Sequence, residues 1–389
     1  MKNKFFRYML PVLVVVLNMM LVVFPREMLG AARDGLVLWA EGVVPSLLPF
    51  MICVNIMIGL GVTSLIGVLL SPVTEKLFRV NGEGAFPLVM GMMSGYPVGG
   101  KIVADLRTQG SISKSDAERL ICFVNNTGPG FIMGAVGAAM FGSVEVGHVI
   151  LMSHFFSALL NGIIFTRGTK PMPKKAASLK QALGQMRDAR RKDGRGFGTV
   201  LGDSVKNATE AIVIVGGFIV LFSVIIKSLE ITRLLEILTS VFRPVASIDG
   251  AVNGIAVGIV EITSGIKRLS LSSDIRTVAA TSALVSWGGL SVHAQTLSFL
   301  SKTDIRAGRY FAAKMLHGLT AGIFSMVIYP FFSGRIKEVT SVFNSRIMSS
   351  AVRSTEYFAV ALFLIFVIPV LGVFFQIALR KAKQLLSKR

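Results

Sequence analysis

Three nearly unbroken apolar runs, Tyr8 to Phe24, Val144 to Phe165 and Tyr357 to Leu379, constrain this chain more than any other feature. Each has about the 20-residue length with which a helix crosses the hydrocarbon of a bilayer. A soluble chain would divide its apolar residues into short periodic stripes instead. The composition agrees, with 52% of residues apolar and 16% charged, against about 25% charged in soluble domains. The expected fold class is an all-α polytopic membrane protein.

A net charge of +20 points to nucleic acid only where the basic residues line a soluble face. Here they gather at Lys2, Lys4 and Arg7, in 167–195, where ten Lys and Arg stand against Asp188 and Asp193, and at Arg380, Lys381, Lys383, Lys388 and Arg389. Such clustering follows the positive-inside rule and puts both termini and the 167–195 loop in the cytoplasm. The lipid bilayer is an expected partner and nucleic acid is not. Cys53 and Cys122 lie in apolar stretches and read as packed thiols, too few for a disulfide framework or a zinc site. His148, His154 and His317 sit on ordinary apolar helices without ligand spacing, so neither a metal nor another cofactor is expected.

The amino-terminal run is too long for a signal peptide and lacks a small-x-small cleavage site, so 1–29 reads as a first transmembrane helix. A last helix and basic tail occupy 356–389, preceded by a loop at 333–355, and a basic cytoplasmic linker occupies 167–199. Two blocks remain, 30–166 and 200–332, and the positions of the charges require each to cross the membrane an odd number of times. They repeat one another at an offset of roughly 170 residues. Each shows a long apolar helix (36–60, 209–229), an amphipathic stretch (63–80, 231–245), a Gly-rich interrupted segment (84–102, 250–271), a helix broken midway (113–141, 273–300) and a plain span (144–165, 305–332). Ser94-Gly95 and Ser264-Gly265 coincide in that register. Interrupted segments leave backbone groups unpaired, which membrane depth tolerates only against protein or a wet cavity, so each reads as a re-entrant hairpin. The result is about eight transmembrane helices plus two re-entrant hairpins in an inverted repeat, the plan of secondary transporters.

Several residues in the breaks carry candidate chemistry. Gly95-Tyr-Pro-Val-Gly-Gly100-Lys101 fits the spacing of a phosphate-binding loop, but Ile102 replaces the required Ser or Thr and no strand precedes it. Lys101 is then either a snorkelling residue or a fixed cation of a substrate cavity. Asn125, Asn126 and Thr127 at one helix break, with Ser286, Trp287, Ser291, His293 and Gln295 at the other, serve either interhelical hydrogen bonds or a substrate. Ser94, Gly95, Tyr96, Thr263 and Ser264 join them from the hairpins. Glu261 is the acid expected within the membrane, either facing the cavity and carrying a proton or paired with Lys267 or Arg268. Nothing sets a nucleophile beside a base, so an enzyme is not expected.

The motifs Met93-Ser-Gly-Tyr-Pro-Val-Gly-Gly-Lys101, Asn125-Asn-Thr-Gly-Pro-Gly-Phe-Ile132, Glu261-Ile-Thr-Ser-Gly265 and Ser286-Trp-Gly-Gly-Leu-Ser-Val-His-Ala-Gln295, in this order, resemble the YlbJ-like sporulation integral membrane proteins of endospore-forming bacteria. The likeness covers nearly the whole chain. That family falls in the wider group with nucleoside-recognition, or gate, domains, similar in plan to concentrative nucleoside transporters. The resemblance implies movement of dipicolinic acid, a small anionic substrate, across the outer forespore membrane from the mother-cell side, while the wider group implies a nucleoside carrier. A membrane scaffold or sensor that moves nothing is a third reading, and a homo-oligomer is compatible with all of them.

Overall fold

The computed structural model describes residues 2–80, 82–167, 178–240 and 249–336. The expected last helix and basic tail, most of the 333–355 loop and the 168–177 part of the basic linker lie outside them. Among the described residues every regular element is helical: α1 Lys2–Val23, α2 Pro25–Val37 with a π-helical continuation Leu38–Val43, α3 Val44–Gly59, α4 Val62–Phe78, α5 Gly82–Ser94, α6 Val98–Thr108, α7 Lys114–Val124, a π-helical segment Phe131–Met140, α8 Val144–Thr166, α9 Leu179–Asp193, α10 Phe197–Ile231, α11 Leu234–Ser240, α12 Asp249–Val260, α13 Ile262–Leu269, α14 Ile275–Trp287, α15 Gly289–Leu300 and α16 Gly308–Ile328.

Among the described residues three helices, α8, α10 and α16 with its last turn, are long and apolar enough to cross a membrane. The number rises to five if two bent pairs, α1 with α2 at 106° and α3 with α4 at 84°, each form one span. Local chemistry sets the boundaries. Ser113 Oγ accepts the Asp116 N–H at 3.1 Å and Ser143 Oγ the Val146 N–H at 3.2 Å, so α7 and α8 begin where a hydroxyl satisfies an orphan donor. The α14 helix stops at Gly288, whose φ of 94° carries the chain into a left-handed conformation that suits glycine. On α16, Met315, Leu319 and Ile323 form one exposed apolar stripe, while Lys314, His317 and Ala321 face inward. That polarity of faces suits a helix between lipid and a packed core.

Both interrupted segments fold back on themselves, α5 onto α6 and α12 onto α13. The crossings depend on glycine. A Cβ at Gly91 would fall 1.7 Å from the Val124 carbonyl oxygen, and one at Gly265 would fall 2.2 Å from the Gly258 Cα. Gly91 faces Gly99 across the first hairpin as Gly258 faces Gly265 across the second. These pairs correct the expected register. Gly265 lies after its tip and corresponds to Gly99, whereas Ser94-Gly95 opens the first tip, where the second has Glu261. The two Ser-Gly dipeptides thus hold different places in their hairpins, and a pair of glycines marks each crossing.

Helices α7, α8, α14 and α16 pack against one another as a central bundle, and each hairpin packs on the broken helix that follows it. Each also reaches across to the other block: α6 touches α15, and α13 touches the π-helical segment Phe131–Met140. The two thiols part company. Cys122 is buried as expected, but Cys53 is exposed on the outer side of α3.

Candidate functional site

At the junction of the four central helices lies a lysine with only neutral partners. Lys314 is 1% exposed, and its ammonium donates to Tyr96 OH at 2.6 Å, to the Asn125 carbonyl at 3.2 Å and to His317 Nδ1 at 3.1 Å. Three acceptors match the three protons of an ammonium. Among the described residues no carboxylate lies within 4.0 Å of it. The partners are themselves fixed. His317 Nε2 donates to the His154 carbonyl at 3.0 Å, which assigns Nδ1 as the acceptor for Lys314. His154 Nε2 accepts the Thr127 N–H at 3.1 Å, so its Nδ1 donates to Ser286 Oγ at 2.7 Å. The two imidazole rings stack with centroids 4.7 Å apart. Asn125 completes the network: its Oδ1 accepts the Gly100 N–H at 3.2 Å and its Nδ2 donates to Thr296 Oγ1 at 2.9 Å and to Tyr310 OH at 3.1 Å.

Beside this core is a cavity of about 50 Å³, room for a few water molecules. All four chain breaks reach its wall. Gly95 and Tyr96 come from the first hairpin tip, Thr127 from the first helix break, Glu261 and Thr263 from the second tip, and Ser291 and Gln295 from the start of α15. Apolar side chains, including Leu47 of α3, Val215 of α10 and Phe131 of the second π-helical segment, line much of the remainder. Glu261 is 1% exposed and caps α13, its carboxylate accepting from Thr263 N at 2.9 Å and Ser264 N at 2.7 Å. Among the described residues no cation pairs with it. Arg268 instead pairs with Glu230 at 2.8 Å and reaches Asn253.

Other expected residues fall behind the wall or away from it. Asn125 and Ser286 belong to the lysine network. His293 Nδ1 meets Tyr310 OH at 2.9 Å, and its ring stands edge-on to Trp287, whose centroid is 4.2 Å distant. Trp287 Nε1 donates to the Ile259 carbonyl at 3.4 Å, tying α14 to the second hairpin. Asn126 Nδ2 donates to the Phe123 carbonyl at 2.7 Å. Ser94 Oγ is buried without a hydrogen-bond partner among the described residues. Ser264 contributes its backbone to the Glu261 cap.

Lys101 is not part of this assembly. Its side chain is 56% exposed and pairs with Asp105 one turn on, at 3.2 Å. It follows the tip by a full helical turn of α6, which turns it outward. The buried lysine is Lys314, and with it the central histidines are His154 and His317, residues the sequence alone assigns to ordinary helices. Lys314 and His317 stand three apart on an apolar helix and so share one face, which is the signal available in the sequence. The meeting of His154 with His317 across 163 positions is a tertiary fact.

The Gate family model, described as nucleoside recognition, matches residues 40–147, a stretch that includes the first hairpin and the first helix break. The sporulation integral membrane protein YlbJ of Bacillus subtilis (strain 168) is 34% identical over 355 residues, covering 86% of this chain and 85% of its own. With its apolar spanning helices and this relationship over most of its length, the chain belongs to the YlbJ family of sporulation integral membrane proteins.

Proposed function

We propose that the protein is a secondary carrier for a small planar dicarboxylate, with dipicolinate (pyridine-2,6-dicarboxylate) as substrate and the outer forespore membrane as its location during sporulation. One observation carries this reading: Lys314, a buried cation held by neutral groups, directly behind a cavity wall made from both hairpin tips. An uncompensated positive charge at membrane depth is costly, and such residues persist where they serve a substrate or ion path. A planar dianion wants a cation, backbone N–H groups and flat walls, and Tyr96 with the half-helix ends supplies the last two. The sporulation name of the Bacillus relative supports the setting. Reciprocal contacts of each hairpin with the other block support an inverted repeat, in which rocking of one block against the other exposes the cavity to alternate sides.

A nucleoside carrier is the second reading, favoured by the Gate match and by Glu261 in the cavity wall, since a carboxylate suits ribose hydroxyls. Both of its oxygens, however, already accept backbone N–H groups of α13. Uptake of labelled dipicolinate and of labelled uridine into proteoliposomes separates the readings. A carrier of the proposed kind accumulates dipicolinate and not uridine. Uridine uptake alone supports the second reading, and uptake of neither would leave a scaffold.

A further inference from the structure

We infer that the Tyr96 hydroxyl occupies the place on Lys314 that a substrate carboxylate takes, so that loading the site and releasing the first hairpin tip are one event. The inference rests on the dicarboxylate reading above and deepens it by naming the residue that yields. Lys314 does not line the cavity; Tyr96 does, and its hydroxyl is 2.6 Å from the Lys314 ammonium. The phenol is therefore the shutter between the cavity and the buried cation. The other two acceptors cannot leave as easily. The Asn125 carbonyl lies in the break after α7, but that residue is fixed by three side-chain hydrogen bonds, and His317 is held by the bond of its Nε2 to the His154 carbonyl at 3.0 Å. Tyr96 sits on a turn, between Gly95 in a left-handed conformation and the start of α6.

Withdrawal of the tyrosine side chain enlarges the cavity and frees one of the three ammonium protons at the same time. A carboxylate oxygen then accepts that proton's hydrogen bond in place of a neutral hydroxyl, and a charged acceptor binds an ammonium more strongly than a phenol does. The first tip, anchored to α16 through this hydroxyl, loses its anchor on loading.

Isothermal titration of the purified wild type, Tyr96→Phe and Lys314→Met proteins with pyridine-2,6-dicarboxylate tests this. Tyr96→Phe keeps the ring whose centroid lies 5.0 Å from the ammonium and removes only the oxygen. With its competitor gone, the site should bind the dicarboxylate roughly tenfold more tightly, whereas Lys314→Met should lose binding. Equal or weaker binding by Tyr96→Phe overturns the inference while leaving the carrier reading in place, whereas unchanged binding by Lys314→Met overturns the inference and removes the observation that carries that reading. A wild type that binds uridine and no dicarboxylate overturns both. Amide exchange of the wild-type protein gives a readout that needs no variant: Gly95, Tyr96 and Val98 should exchange faster with saturating dicarboxylate, and unchanged or slower exchange counts against the inference.

Discussion

The two hairpin tips share a crossing geometry and differ in what holds them. The first, Gly95 to Pro97, carries no charge of its own and is tied through Tyr96 to a lysine on α16, 218 positions away. The second is tied to itself: the Glu261 carboxylate caps the helix that follows it, at 2.9 and 2.7 Å. A carboxylate on a helix N-terminus satisfies orphan donors and complements the dipole, so the second tip is locked locally. The first tip is held by a bond to another block, of a kind that an anionic ligand can replace. The lesson is that a pair of matched hairpins can divide the work, one as a fixed wall and one as the movable side.

The largest effects should come from what the tips share. Gly91→Ala and Gly265→Ala each place a methyl into backbone, 1.7 Å from the Val124 carbonyl oxygen and 2.2 Å from the Gly258 Cα. Backbone cannot rotate out of the way, and overpacking of this severity costs about 3 kcal/mol. Both variants should lose most of their folded yield by size-exclusion chromatography in detergent, and wild-type yield of either would end the equivalence of the two crossings. A smaller effect should separate the tips. Glu261→Gln keeps one neutral acceptor for two N–H donors and should lower stability by about 1–2 kcal/mol, read as a lower melting temperature in detergent. Tyr96→Phe should lower it too, because one proton of a buried amino group loses its acceptor, but saturating dicarboxylate should restore the melting temperature of Tyr96→Phe and not that of Glu261→Gln. Restoration of both, or of neither, would mean that the two tips do not differ in what holds them.

Smaller still are the outward-facing charges. Lys101→Ala should leave uptake within about twofold of wild type, because an exposed i,i+4 pair contributes little; severe loss of uptake would return Lys101 to the substrate path. Arg107 and Asp304 clasp the end of α6 to the loop before α16, at 2.9 and 3.0 Å. The guanidinium holds the Asp304 carboxyl below its usual range. Stability from this pair is present at neutral pH and fades as acid protonates Asp304, so Asp304→Asn should flatten the acid side of a melting-temperature profile. An unchanged profile would show that the clasp does not link the first hairpin to the second block.

What the sequence discloses follows from where its information is local. Helix interruptions are legible because Gly95, Pro97, Gly288 and Gly289 act on their own backbone, and the apolar runs fix the class of fold by length. Glu261 is legible as an oddity, an acid in an apolar segment. The role of Lys314 is not, because Arg309 and Lys314 on the same helix read equally well as interfacial charges until α7, α8 and the first tip close over one of them. Tyr96 likewise reads as one aromatic at a turn. Its importance arises from a partner that only the packing of one block on the other supplies.

The most direct test compares uptake of labelled pyridine-2,6-dicarboxylate by wild-type protein and by Lys314→Met in proteoliposomes at matched protein density. Methionine fills a similar volume without charge, and replacing a buried charge by an apolar side chain is often neutral for stability. The three neutral acceptors left behind cost at most a few kcal/mol. Wild-type uptake with loss of a hundredfold or more in Lys314→Met, roughly the weight of a desolvated charge-assisted contact, is the expected result. Equal uptake by the two proteins would contradict the claim that Lys314 is the cation for which the cavity is built.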